Sequence, residues 1–337
     1  MERGDLGRLS STAMGDRANY VIVQNGRWDL YYSHWGAVAL HVDLLAGPAA
    51  ATRFIRAQRV VEPDTNGWLD DVWCEGAALV DHDRRRLCFF TWHHDGHDER
   101  AAILAVLART WPGWRIDWAY DGLADLVRHV GQDAAIVRTE SDPEPDPVAA
   151  DEDQVRCLVT VADSDVPPRA YALDWDAEEV IAYGPALLGR LPADGLRTRC
   201  AVIPESGVHL DPATRSAGVW TVRSLNGALD QPERLWPGWR WEMWNDRRDE
   251  QLSRTSERFA GLEPDLVTAL DALRERSLLL PEHDPVTAAH DFLSRMETVD
   301  SSTVASPRLF DHTQTPPSEA ERSTVLKAIG ELVAAVT

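Results

Sequence analysis

Two short apolar runs, residues 20–23 and 28–32, flank Gln24-Asn25-Gly26-Arg27. Asn-Gly supplies the two positive-φ positions of a tight turn, so the pattern predicts a β-hairpin. Gly47-Pro48 then opens a segment with Ala50, Ala51, Phe54 and Ile55 on one helical face, which predicts a helix to about Gln58 because Pro suits a first turn. A second hairpin is expected from residues 77–80 and 87–92 around the polar turn at 81–86. A helix over 98–110 presents Ile103, Leu104 and Leu107 on one side and stops at Trp111-Pro112-Gly113. Residues 114–118 predict a strand. Residues 121–130 predict a short helix with Leu123, Leu126, Val127 and Val130 inward and Gly131 as its stop.

The pattern then repeats. Trp111-Pro112-Gly113-Trp114-Arg115 returns as Trp236-Pro237-Gly238-Trp239-Arg240, Asp81, Arg85 and Phe90 find counterparts in Asp211, Arg215 and Trp220, and Gly47-Pro48-Ala49 finds one in Gly184-Pro185-Ala186. The order is kept, and tryptophan is too rare for such an identity to arise easily by chance, so the chain contains an internal duplication. Between the copies, residues 139–154 carry three prolines among many acids, the composition of a self-repelling extended linker. The expected organisation is a disordered stretch over 1–15 (with Met14 an alternative start to Met1), one repeat unit over 16–138, the linker, a second unit over 155–260 and a helical extension over 261–337. The fold class is α+β: two tandem pseudo-symmetric hairpin-and-helix units, since runs of hairpins argue against a doubly wound parallel sheet. In the extension, helices are expected over 265–279 and from Asp284-Pro285, residues 298–317 read as polar and loose, and Ser318 with Glu321 forms a capping box. The apolar face of that last helix, with Val325, Leu326, Ile329 and Leu332, must pack on the body, a second copy or a partner.

The charge narrows the choice of partner. The chain of 337 residues has a net charge of −21, and Lys327 is its only lysine among 34 basic residues. Nucleic acid and anionic membrane are therefore poor partners, because both need clustered positive charge. No apolar run reaches the length of a membrane span, and residues 1–13 lack the apolar core of a signal peptide, so a cytoplasmic location is expected. Cys74, Cys88, Cys157 and Cys200 form no C-x-x-C pair and read as buried thiols.

Three constellations could carry chemistry. His93, His94, Asp95 and His97 offer three imidazoles and a carboxylate at a strand end, the donor types of zinc, manganese or non-haem iron. The run resembles the His-x-His-x-Asp-His motif of metallo-β-lactamase-like hydrolases, with a different order and without the family's downstream ligands; that resemblance implies a metal-dependent hydrolase. The second copy has Arg223-Ser224-Leu225-Asn226-Gly227 at the matching place and no such ligands.

Tyr32, Ser33, His34 and Trp35 place Ser and His side by side, but neighbours on a strand face opposite ways and cannot pair as nucleophile and base. With Asn19-Tyr20, Tyr31 and Gly36, this stretch resembles the WGR domain, a nucleic-acid-binding module. It departs at Ala37, where that family has arginine, and lacks the basic surface, so nucleic-acid binding is not expected. Tyr32, His34 and Trp35 remain candidate ligand contacts. In the third constellation the duplicated tryptophans, with Arg115 or Arg240, could form a cation–π cage, although duplicated residues more often hold the shared fold. Asp81 with Arg85, and Asp211 with Arg215, could bridge each hairpin turn.

No P-loop, Rossmann fingerprint or nucleophile elbow is present. The expectation is a non-enzymatic interaction or regulatory protein that binds a protein or small ligand between its two units, compatible with a homodimer. The alternative is a metal-dependent enzyme that uses the histidine cluster.

Overall fold

The structure is a computed structural model and describes residues 15–62, 67–139, 147–151, 154–163, 166–197, 199–200, 202–255, 264–279, 284–297 and 307–336. The expected disorder over 1–15 falls outside the described residues apart from Gly15, as do residues 140–146 of the linker and residues 298–306 of the stretch read as loose.

Two six-stranded mixed sheets organise the chain. The first contains β1 (Ala18–Gln24), β2 (Arg27–Ser33), β3 (Arg59–Val61), β4 (Gly76–Asp81), β5 (Arg86–Thr91) and β6 (Arg115–Trp118), in the order β3-β2-β1-β4-β5-β6. The second contains β7 (Cys157–Asp163), β8 (Val166–Leu173), β9 (Leu196–Arg197), β10 (Ser206–Asp211), β11 (Ser216–Thr221) and β12 (Arg240–Met243), in the matching order β9-β8-β7-β10-β11-β12. In each sheet three antiparallel pairs are joined by two parallel ones, β1 with β4 and β5 with β6 in the first, β7 with β10 and β11 with β12 in the second. The parallel pairs are what the hairpin pattern alone did not announce. They need crossover segments, which the helices provide.

The helices of the first unit are α1 (Leu40–Leu45), α2 (Pro48–Ala57), α3 (Gly96–Thr110) and α4 (Leu123–His129). The second unit has α5 (Ala177–Tyr183), α6 (Pro232–Leu235) and α7 (Arg248–Leu252). The crossover that holds α3 in the first unit is cut to the single turn of α6 in the second. Asn25 and Gly26 adopt φ of 55° and 70°, as the first hairpin turn requires. Arg85 and Arg215 take left-handed φ of 48° and 51° at matching turns. Neither bridges its aspartate. Asp81 instead accepts from the Arg84 backbone N–H at 2.9 Å and meets His129 Nε2 at 2.8 Å, and Asp211 accepts from the N–H groups of Ala213 and Thr214.

Each unit is locked by the same corner. Trp111 is 1% exposed and its indole N–H donates to Leu44 O at 2.8 Å; Trp236 is fully buried and donates to Ile181 O at the same distance. Each stacks edge-on against the tryptophan three positions on, Trp114 at 5.0 Å and Trp239 at 4.9 Å. Gly47 and Gly184 pass so close to the corner that a Cβ would lie 2.9 Å from Thr110 O and 2.8 Å from Leu235 O. Both have positive φ, of 91° and 74°, so side chains are barred there by conformation and by space.

The extension contributes α8 (Leu266–Leu279), α9 (Pro285–Glu297) and α10 (Glu319–Val336). Ala269, Leu270, Leu273, Val325, Ala328 and Ile329 join the core of the first unit, so the apolar face of α10 packs on the body of its own chain. The capping box forms: Ser318 N donates to Glu321 Oε2 at 2.8 Å, and Glu321 N to Ser318 Oγ at 3.3 Å. All four cysteines are buried free thiols, and burial pushes Cys88 and Cys157 up to about 12 and Cys200 to about 11. Among the described residues no helix is long and apolar enough to cross a membrane.

Replacing Trp111 or Trp236 with Ala removes a large buried side chain together with its indole hydrogen bond. Each change is expected to cost about 3–5 kcal/mol in urea unfolding monitored by circular dichroism. Trp111→Phe and Trp236→Phe should cost distinctly less.

Candidate functional site

The two units meet along the C-terminal ends of β5, β6, β11 and β12, and the seam is polar. Leu225 N donates to Tyr120 O at 2.8 Å, and Gly227 N to Asp121 Oδ1 at 2.7 Å. Asp121 and Asp246 follow matching strands and reach across in opposite senses. Asp121 faces the Gly227 loop of the second unit, while Asp246 accepts from Arg100 Nη1 of α3 at 3.0 Å. Arg223 holds Glu205 through Nε at 2.9 Å and Nη2 at 2.7 Å, and also donates to Trp92 O across the seam. Arg138 is shared by Asp71, Asp121 and Asp230 at 3.1, 2.5 and 2.8 Å. Such half-buried guanidinium–carboxylate pairs fix orientation more than they add stability.

The four residues of the histidine cluster stand at one end of this seam. His93 Nε2 lies 2.9 Å from Asp16 Oδ1. His94 is 3% exposed, with Nδ1 3.0 Å from Gly96 O and its ring 5.5 Å from Trp118. Asp95 Oδ2 accepts from Arg276 of α8 at 2.7 Å. His97 Nδ1 is 3.7 Å from Asp98 Oδ1. Each therefore answers to a different partner, and among the described residues no three His, Cys, Asp or Glu side chains gather into a set that could hold a metal ion.

What does gather there is a group the sequence did not mark. His41 arrives from α1 at 1% exposure, with Nε2 3.8 Å from Glu99 Oε1, and Arg100 spans the seam at 3% exposure. The Arg100 guanidinium lies 4.6 Å over Trp118 and donates to Tyr120 Oη at 2.7 Å. Arg276 closes the far side through Glu99 at 2.9 Å. Around this point lie buried polar atoms with no hydrogen-bond partner: both ring nitrogens of His41, His94 Nε2, Arg100 Nε and Trp118 Nε1. Native proteins keep few such atoms, and each costs about 1–3 kcal/mol if left unmet. Burial, reinforced by neighbouring cations, lowers His41 to about 3 and drives His94 well below the usual imidazole value. Both rings are neutral at pH 7. With Nδ1–H given to Gly96 O, His94 Nε2 is an acceptor, while Trp118 Nε1 and Arg100 Nε are donors. The site therefore offers both kinds of polar group.

The second constellation is also occupied. Tyr32 Oη meets His34 Nδ1 at 2.9 Å, and Trp35 Nε1 donates to Leu309 O at 2.8 Å. Ser33 does find an imidazole, but from the far end of the chain: its Oγ is 2.8 Å from His312 Nδ1. Ser33 is fully buried and its hydroxyl also faces Asp311 O at 3.3 Å, the contacts of a clasp. In the third constellation Arg115 and Arg240 are exposed, and Arg115 Nε pairs with Asp117 at 2.9 Å. The cation–π contacts fall instead to Arg100 on Trp118 and Arg254 on Trp244.

Compared with protein-family models, curated proteins and solved structures, the chain matches none.

The seam also contains a carboxyl held neutral. Burial raises Glu178 to about 8, and Asn226 donates to it at 3.2 Å. Its pKa is higher folded than unfolded, so the folded state binds the extra proton, and stability falls as pH rises from about 4.5 towards 8. Glu178→Gln keeps the acceptor and removes the titration. Its melting temperature should match the parent near pH 5 and exceed it near pH 8.5, as read by scanning calorimetry in both buffers.

Proposed function

We propose that this chain is a non-enzymatic interaction or regulatory protein that holds a small polar ligand between its two repeat units, at the start of α3. The observation that supports this reading is the concentration of buried, unpartnered donors and acceptors around His41, His94, Arg100 and Trp118. A ligand that carries both an acceptor and a donor matches them, and its binding free energy offsets their desolvation.

All three parts of the chain reach this point: the first unit through α3, the second through Asp246 and Arg223, the extension through Arg276. Ligand binding there favours the docked arrangement over any arrangement that lacks these contacts, which is the physical basis of a regulatory output. No side chain in the cluster is paired as nucleophile with base. The neutral, desolvated histidines suit recognition by hydrogen bonding.

The test is a thermal-shift screen of small polar metabolites, combined with native mass spectrometry of the purified chain. At least one compound, added or co-purified, should raise the melting temperature. Trp118→Phe, which removes one donor at little change in shape, should weaken its binding about 5–30-fold, the equivalent of one lost hydrogen bond. If no compound stabilises the protein, or the stabilisation is unchanged in Trp118→Phe and His94→Leu, the reading is wrong.

A further inference from the structure

The C-terminal segment around residues 307–313 is docked by a set of contacts that exceeds what a tether needs. Pro307–Phe310 forms a 3-10 turn, and the segment sets its own shape through Asp311 N to Arg308 O and His312 N to Phe310 O, both 2.9 Å. Three of its residues then give main-chain groups to the first unit. Leu309 O accepts from Trp35 Nε1 at 2.8 Å, and Asp311 O accepts from His34 N at 2.6 Å. Thr313 is held at both ends by one side chain: Gln58 Nε2 donates to its O at 2.7 Å and Gln58 Oε1 accepts from its N at 3.1 Å. A carboxamide used this way imitates the edge of a β-strand and reads backbone regardless of side chain.

Side chains add selectivity. Leu309 is 5% exposed. Asp311 Oδ2 pairs with Arg59 Nε at 3.0 Å, and that guanidinium also lies 4.7 Å over the Tyr32 ring. His312 meets Ser33 at 2.8 Å and packs edge-on against Phe54. The residues making these contacts include Tyr32, His34 and Trp35, the aromatic and polar set that stands out in the sequence as a ligand surface. Main-chain clamping at three points, one apolar anchor and one charge pair are the components of peptide recognition.

We propose that the face formed by Ser33, His34, Trp35, Gln58 and Arg59 is a peptide-reading surface, occupied in cis by this chain's own residues 309–313. In trans it takes a partner segment with the pattern apolar, any residue, Asp, His. A short turn that holds its own shape loses little entropy on docking, so a free peptide of this pattern carries much of the recognition. The cis segment, at high effective concentration, sets the threshold that a partner must exceed. This proposal is independent of the seam ligand and stands whether or not one is found.

The test uses a fluorescein-labelled peptide of residues 307–314 and the full chain, read by fluorescence anisotropy. In Leu309→Gly/Asp311→Ala/His312→Ala the cis segment is weakened, and the peptide should bind saturably, at least about ten-fold more tightly than to the parent. Adding Arg59→Ala to that background should remove most of the binding. Absence of saturable binding to a triple variant that still melts cooperatively overturns the proposal. So does binding indifferent to both Arg59→Ala and Gln58→Ala. If the triple variant fails to fold, hydrogen exchange of the parent decides: excess peptide must accelerate exchange of the Thr313 amide by displacing the cis segment, and unchanged exchange overturns the proposal.

Discussion

The tryptophan corner is the constraint from which the rest of the architecture follows. A buried indole N–H needs an acceptor, and in both units it finds a carbonyl near the end of an earlier helix, Leu44 of α1 in one and Ile181 of α5 in the other. That bond fixes where the crossover returns to the sheet. The Pro-Gly step then turns the chain, and the Arg115 and Arg240 amides pick up Arg85 O and Arg215 O, which starts β6 beside β5 and β12 beside β11 in parallel. A hydrogen bond of this kind contributes only about 1 kcal/mol net, but leaving the groups buried and unpaired costs more. Its influence is mainly geometric: a misplaced indole would displace the strand that follows.

With those strands in place, the loops after them face one another, and the seam is built from the sequence that differs between the copies. The first unit presents His93–Arg100 and Tyr120–Asp121; the second presents Arg223–Gly227 and Asp246. Divergence has made the pair complementary, with Arg100 of one unit on Asp246 of the other and the Gly227 amide on Asp121. The long α3 of the first unit has no equal in the second, and α8 and α10 cover it. The single-turn α6 leaves the second unit without such a platform, which explains why the extension joins the first core and not the second.

The extension also touches two sites of the first unit. Through α8 it places Arg276 against Asp95 and Glu99 at the start of α3. Further along, residues 309–313 lie over Ser33 and Trp35. The extension thus touches both the buried polar cluster and the peptide-reading face, and the capping box and the Arg53–Glu321 pair at 2.8 Å fix the first turn of its last helix.

The sequence by itself determined the two-copy α+β plan, the Asn25-Gly26 hairpin, the crossover helices and the capping box. These depend on local rules: turn φ values, helical periodicity and short-range capping, which act within a few residues. The tandem tryptophan motif was equally legible because duplication repeats it in order. Only the tertiary structure decided the parallel pairing of β1 with β4 and β5 with β6, since periodicity carries no strand direction. It also decided which polar residues share a site. His41, Arg100 and Trp118 have no common spacing and meet only because α1, α3 and β6 converge. His93, His94, Asp95 and His97 are adjacent in sequence, yet their side chains leave the β5–α3 junction toward four different partners. Ser33 and His312 stand at opposite ends of the chain, and no local signal foretells their contact. Sequence proximity fixes backbone neighbours; which side chains meet depends on packing between elements distant in the chain.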